Sequence, residues 1–246
     1  MEGKEDTHLI IVGQKPLTIT VNHGTKVYGE VAGEYNFADF DGGLISDDSM
    51  EDITGETVEY YLATTNANSP VGTYPDEIGI VTSSLNGTRA GSYDITVLRG
   101  ELEIAAKALT VEITGNPTKV YDGDDTATLT SGDYTITGLV GSEEVTITQT
   151  AGTYADADVG THLVTVDLAS GDYNGSSGVD PDNYNLATEA TGNGEITKAS
   201  LTVEITGNPT KVYDGDDTAM LTSGDYTVTG LVGTESVTIT KTTGTY

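Results

Sequence analysis

Residues 109–154 return 92 positions later as residues 201–246, with only six of the 46 positions changed. LTVEITGNPTKVYDGDDTATLTSGDYTITGLVGSEEVTITQTAGTY becomes LTVEITGNPTKVYDGDDTAMLTSGDYTVTGLVGTESVTITKTTGTY. Most of the changes are mild, such as Ile136 to Val228 and Ser142 to Thr234. A catalytic site is normally needed once per chain, whereas a spacer or a multivalent surface is made by copying a module. The copy therefore predicts several small folds of one design in place of a single large core.

The repeat extends backwards. TKVY stands at 25–28, 118–121 and 210–213, and LTI or LTV opens each unit at Leu17, Leu109 and Leu201. The units are then 17–108, 109–200 and 201–246, the last a truncated repeat. An apolar residue sits five positions before each opening Leu: Val12, Ile104 and Ile196. Together with the run LIIV at 9–12, this assigns residues 1–16 to the remnant strand of a preceding unit and its linker. Between Ile196 and Leu201 lie only Thr-Lys-Ala-Ser, without Gly or Pro, too short for a flexible tether. Modules joined in this way are expected to stack end to end with restricted bending.

Alternation points to strands. In LTVEIT (109–114), Leu109, Val111 and Ile113 share one face and Thr110, Glu112 and Thr114 the other. Further strands are expected at 118–123, 126–130, 134–139, 143–150, 162–169, 184–189 and 194–199. Ser131-Gly132-Asp133, Asn174-Gly175 and Asn193-Gly194 supply turn signals. The 31 Gly and plentiful Thr, Val, Ile and Tyr suit such a fold, and no stretch sustains a helical period. Seven or eight short strands per unit predict an all-β fold of tandem Ig-like β-sandwich modules end to end. β-Grasp-like modules are the alternative, but they require a helix that the sequence does not display.

Ten Lys and Arg face 39 Asp and Glu, a net charge of −29. That argues against phosphate recognition in nucleic acid and against attraction to an anionic membrane surface. It suits a hydrated, self-repelling surface. The absence of Cys excludes disulfides and zinc thiolate sites. No apolar run is long enough for a membrane-spanning helix, and MEGKEDTHLIIVG does not read as a signal peptide.

With TKVYDG and its variant TKVYGE in view, the chain resembles the MBG and YDG glycine-rich repeats of large bacterial surface proteins. The supporting motifs are LTI then TKVYGE in 17–108, LTVEITGNPTKVYDG in the two later units, GLVGSE at 138–143, GTY near mid-unit and an NYNL–GEIT ending. The likeness covers residues 17–246 and identifies 17–108 as MBG-like and the later units as YDG repeats. It implies an extracellular, cell-surface location and a structural stalk role within an adhesin, with no catalytic residue to carry over.

The candidate chemical groups are few. Asp122-Gly123-Asp124-Asp125, repeated at 214–217, gathers three carboxylates around a turn and could supply oxygen ligands to Ca²⁺. It lacks the remainder of an EF-hand loop and the bidentate Glu, and a solvated acidic turn explains it as well. Asp156-Ala157-Asp158 and Asp180-Pro181-Asp182 are weaker versions. The run Asp47-Asp48-Ser49-Met50-Glu51-Asp52 could offer a carboxylate pair for glycoside hydrolysis, but Trp is absent and an exposed loop is the better reading. His8, His23 and His162 stand at non-matching positions, and no Ser, His and carboxylate fall in a triad order. Tyr28, Tyr121 and Tyr213 read as core-edge residues whose hydroxyls reach backbone groups. Lys26, Lys119 and Lys211, two places earlier, read as partners of local carboxylates. Asn86-Gly87-Thr88 and Asn174-Gly175-Ser176 match the glycan-acceptor pattern but read as hairpin turns.

The chain is therefore expected not to be an enzyme and to hold no catalytic, cofactor or metal residue, Ca²⁺ at the acidic turns being the one open case. Its expected partners are neighbouring repeats of the same chain, and carbohydrate or a host or matrix surface only through a domain elsewhere. A carbohydrate- or matrix-binding module, or an accessory region of a secreted hydrolase, is the alternative.

Overall fold

A computed structural model describes residues 12–31, 33, 35–41, 43–45, 47–175 and 179–246. The strand expected at 9–12 and the site at His8 lie outside the described residues, save Val12, which is exposed. The fold is an all-β sandwich. The chain divides into two compact units. The first gathers residues 1–109 with 138–143 and 178–185; the second gathers 110–137, 144–177 and 186–246.

In the first unit, a three-stranded sheet runs in the order Phe37–Asp41, Lys15–Val21, Tyr93–Leu98. A four-stranded sheet runs Gly24–Val27, Gly100–Ala105, Gly72–Ile80, Tyr60–Leu62. The sequence KPLTITV alternates as expected of a half-buried strand: Leu17, Ile19 and Val21 are buried while Thr18 and Thr20 are partly exposed. Ile78, Ile80, Leu102 and Ile104 supply the apolar face of the four-stranded sheet. Each such side chain contributes about 2 kcal/mol of burial. Lys15–Val21 pairs in parallel with Tyr93–Leu98, and Gly24–Val27 in parallel with Gly100–Ala105.

One helical turn, Met50–Thr54, was not foreseen. Ser49 caps it: its hydroxyl accepts from Asp52 N, and Asp52 accepts from Ser49 N. The acidic run read as an exposed loop is thus a helix start, and Ile53 drives into the core with Leu17 and Tyr93.

In the second unit, six strands run Thr126–Thr128, Ala151–Tyr154, Gly160–Asp167, Glu189–Thr197, Thr110–Ile113, Tyr134–Thr137, and Thr118–Val120 also pairs with Glu189–Thr197. Val145–Ile147 pairs separately with Tyr173–Gly175. Ile147, Val164, Val166, Leu129, Ile196 and Tyr154 form the heart of the core. Residues 201–246 add two two-stranded sheets, Thr202–Ile205 with Tyr226–Thr229 and Thr218–Met220 with Thr243–Thr245.

Two turn assignments change. Asn174-Gly175 and Asn193-Gly194 lie inside strands. Glycines sit in Glu189–Thr197 because neighbouring backbone comes too close for a side chain: a Cβ on Gly192 would stand 2.0 Å from the Ile113 carbonyl oxygen. The Ser131-Gly132-Asp133 separator is a 3₁₀ turn in which Asp133 accepts from Thr130 N and Oγ1, and Thr222 and Asp225 repeat it.

Candidate functional site

The motif tyrosines do not do what the sequence suggested. The hydroxyls of Tyr28 and Tyr121 reach carboxylates, not backbone. In the first unit, Tyr28, 5% exposed, donates to Glu143 Oε1 at 2.8 Å. In the second unit, Tyr121 donates to Glu235 Oε1 at the same 2.8 Å. The two pairs are separated by 115 and 114 residues.

The acceptor is built by a turn. In GLVGSE and GLVGTE, Glu143 N donates to Val140 O and Glu235 N to Val232 O, each at 3.1 Å. Gly141 and Gly233, with φ of 61° and 59°, adopt the left-handed backbone conformation of that turn. The turn sets a valine and a glutamate side by side. The valine meets a glycine one or two residues after the tyrosine. A Cβ on Gly29 would lie 2.3 Å from Val140 Cγ2, and one on Gly123 would lie 3.0 Å from Val232 Cγ1. The tyrosine and its glycine thus read two features of the turn, one apolar and one charged.

The first unit elaborates this clasp. Tyr184 also donates to Glu143, accepts from Val140 N at 3.0 Å, and stands edge-on to Tyr28 with ring centroids 5.4 Å apart. Burial pushes the Tyr28 phenol up to about 12, and the bond to Glu143 adds to the shift. Burial and Glu143 also raise Tyr184. In the second unit the bond to Glu235 is the main cause raising Tyr121.

A phenol held above its unfolded value stabilises the fold while protonated. The Tyr28 contribution is expected to be complete below pH 10 and lost as pH rises through about 12. Melting of the Tyr28→Phe chain between pH 9 and 12.5 checks this: its alkaline loss should be shallower than that of the unmodified chain. Parallel curves would contradict it.

The acidic turns already contain their own cation. Lys119 Nζ lies 2.8 Å from Asp122 Oδ1 and 3.3 Å from Asp124 Oδ1, and it donates to the carbonyls of Asp124 and Thr126. Lys211 meets Asp214 and Asp216 at 2.9 Å each. Asp216 is held down at about 2, first by the Thr218 amide and then by Lys211. Among the described residues, no group of three or more His, Cys, Asp or Glu is arranged to hold a metal ion. Asp156 and Asp180 accept from the amides of Asp158 and Asp182, as local turn caps.

Lys26 departs from its counterparts. Only 4% exposed, it donates to the backbone carbonyls of Glu30 and Asn66. Burial lowers it, against the opposing fields of Glu30 and Glu77. His23 sits 3.4 Å from Glu101 on the surface, and His162 Nε2 contacts Asp158 O at 2.7 Å. Asp48 accepts from the Tyr93 hydroxyl at 2.6 Å, and Thr88 Oγ1 donates to Asp52, so these groups serve the helix turn. Of the two glycan-acceptor patterns, Asn86-Gly87-Thr88 packs on that turn, with Gly87 N donating to Ile53 O; Ser176 of the other lies outside the described residues.

The sequence showed both halves of the clasp but did not join them. TKVY and GLVG[ST]E each recur in order. Their partnership spans more than 100 residues, and no local periodicity reports it.

Residues 17–103 match the family model of the MBG domain (YGX type), and residues 105–192 match that of the YDG domain. No curated protein and no solved structure matches the chain. By these motifs and matches, residues 17–103 belong to the MBG family of the YGX type and residues 105–192 to the YDG family.

Proposed function

We propose that this segment is a run of structural spacer repeats in a bacterial cell-surface adhesin, acting outside the cell to project a distal binding domain. One observation carries the reading: the same tyrosine–glutamate clasp is made twice, at 2.8 Å, from copied sequence. Duplicating a module preserves a structural contact of this kind, whereas chemistry on a substrate gains little from it. The excess of acid over base, with a net charge of −29, keeps repetitive β-structure soluble. We also infer that the segment is not an enzyme and needs no cofactor, since Lys119 and Lys211 supply the positive charge that the acidic turns require.

The test is to display the chain between a cell anchor and a reporter binding domain, and to probe the chain alone on glycan and matrix-protein arrays. The reporter's reach should grow as repeats are added, the chain alone should bind nothing saturably, and EDTA should leave its melting midpoint in place. Saturable glycan or matrix binding would replace the spacer reading with that of a binding module. A midpoint lowered by EDTA would restore Ca²⁺ as a structural ligand.

A further inference from the structure

The third copy of the motif is the odd one. Tyr213 is 91% exposed and Val212 89% exposed, whereas Tyr28 is 5% exposed and Tyr121 is half-buried against Glu235. A Cβ on Gly215 would meet nothing within 4 Å, although Gly215 has φ 82°, close to the 80° of Gly123. The carboxylate contacts of the acidic turn beside Tyr213 are nevertheless made. Lys211 holds Asp214 and Asp216, and Thr218 N donates to Asp216 Oδ1 at 2.5 Å. Tyr213 therefore stands beside an ordered turn with its glycine poised as in the occupied copies.

We propose that Tyr213 and Gly215 form a docking face for the GLVG[ST]E turn of one further YDG repeat joined in the same polypeptide. The rule it would follow is readable from the two filled cases: glycine accepts the turn's valine, and the phenol donates to the turn's glutamate. Both filled clasps join groups 114 or 115 residues apart along one chain, which favours a partner in the same polypeptide over one in another molecule. The chain's own two turns are already engaged, Glu143 by Tyr28 and Tyr184, and Glu235 by Tyr121. A separate copy of the chain offers no free turn without opening one of these. Charge also selects the occupant. With Lys211 committed to Asp214 and Asp216, the phenol is the neutral donor left to meet an incoming carboxylate.

The inference concerns how repeats recognise one another and does not depend on the adhesin reading. It also names the specificity residues: Val140 and Glu143, or Val232 and Glu235, on the turn, and the tyrosine and nearby glycine on the face that receives it. Tyr121→Phe should loosen the filled clasp by removing its hydrogen bond while leaving the apolar contact of Val232 with Gly123.

Hydroxyl-radical footprinting with mass spectrometry tests the proposal, because tyrosine oxidation follows ring exposure. In the chain as it stands, Tyr213 should oxidise fastest, Tyr121 more slowly and Tyr28 slowest. The chain is then extended with a copy of residues 155–200 followed by a copy of 109–200. Tyr213 should fall to the rate of Tyr121. Changing the appended counterparts of Val140 to Asp and Glu143 to Ala should return it to the fast rate. Undiminished Tyr213 oxidation in the extended chain, or protection that survives the appended changes, overturns the proposal. Because an extended variant can fail to fold, Glu235→Ala in the original chain provides an independent check. It should raise the oxidation of Tyr121 and leave that of Tyr28 unchanged; an unmoved Tyr121 also overturns the pairing rule.

Discussion

Replacing Glu77 with Ala is expected to destabilise the first unit by about 3 kcal/mol, read as an earlier urea midpoint. Glu77 is 2% exposed. Its carboxylate accepts from the amides of Thr64 and Thr65 at 2.8 and 2.6 Å, and from their hydroxyls at 2.8 and 2.7 Å. Burial alone would raise its pKa, but these four bonds outweigh burial and hold the carboxyl below the ordinary range. The carboxylate also lends its field to the buried Lys26 ammonium. Truncation therefore strands two amides, two hydroxyls and part of the counter-charge of a lysine at once. Glu77→Gln keeps the shape and one acceptor oxygen, so its loss should be smaller. The sign with pH follows from the depressed pKa: the contribution is present above the unfolded value and lost as pH falls through the folded one. The Gln variant should lack this share of the acid loss. An Ala variant with an unshifted midpoint would show that the four bonds merely replace equivalent bonds to water.

Glu77 also marks where the sequence stopped being legible. GTYPDEIGI does not alternate cleanly, because the pairing of Gly72–Ile80 with Gly100–Ala105 shifts register between Tyr74 and Ile78. The irregularity lets four consecutive residues, Glu77 to Ile80, be buried. A reading based on period two has no way to place a carboxylate inward there. Where strands are regular the pattern was sufficient: Val111 and Ile113 face inward, Thr110 and Glu112 outward, as alternation requires. It failed again at Ala151–Tyr154 and Tyr173–Gly175, short strands in which one tyrosine each is the buried residue. Tyr154 is buried with its hydroxyl on Pro117 O, and Tyr173 reaches Ala187 O, so both satisfy a buried phenol through distant backbone. The helix turn at Met50–Thr54 carried a capping signal in Ser49 and Asp52, but a single turn is too short to show a period. The clasps were hidden for a related reason. The tyrosine and the glutamate are each visible as repeated letters, and only the folded chain brings them to 2.8 Å.

Identical residues at matching repeat positions should respond differently to the same change. Ile147 is fully buried among Leu129, Tyr154, Val164 and Val166, and its truncation to Ala is expected to cost about 3 kcal/mol through lost burial and the cavity left behind. Ile239 occupies the same repeat position but is only partly buried. Its truncation should cost less than about 1 kcal/mol, since less apolar area returns to water and no enclosed void is made. The contrast extends through the copy: Val111 and Ile113 are 6% and 5% exposed, while Val203 and Ile205 are 46% and 56% exposed. Local sequence does not account for it, because LTVEIT is identical in both places. The difference comes from Glu189–Thr197, which pairs with Thr110–Ile113, and from Gly160–Asp167, which contributes Val164 and Val166 to the core. Denaturant titration of the two single variants decides the matter. Equal losses would mean that the local hairpins, and not the strands laid across them, set the stability of a YDG repeat. A large loss for Ile147→Ala alone would place that stability in contacts supplied from the second half of the module.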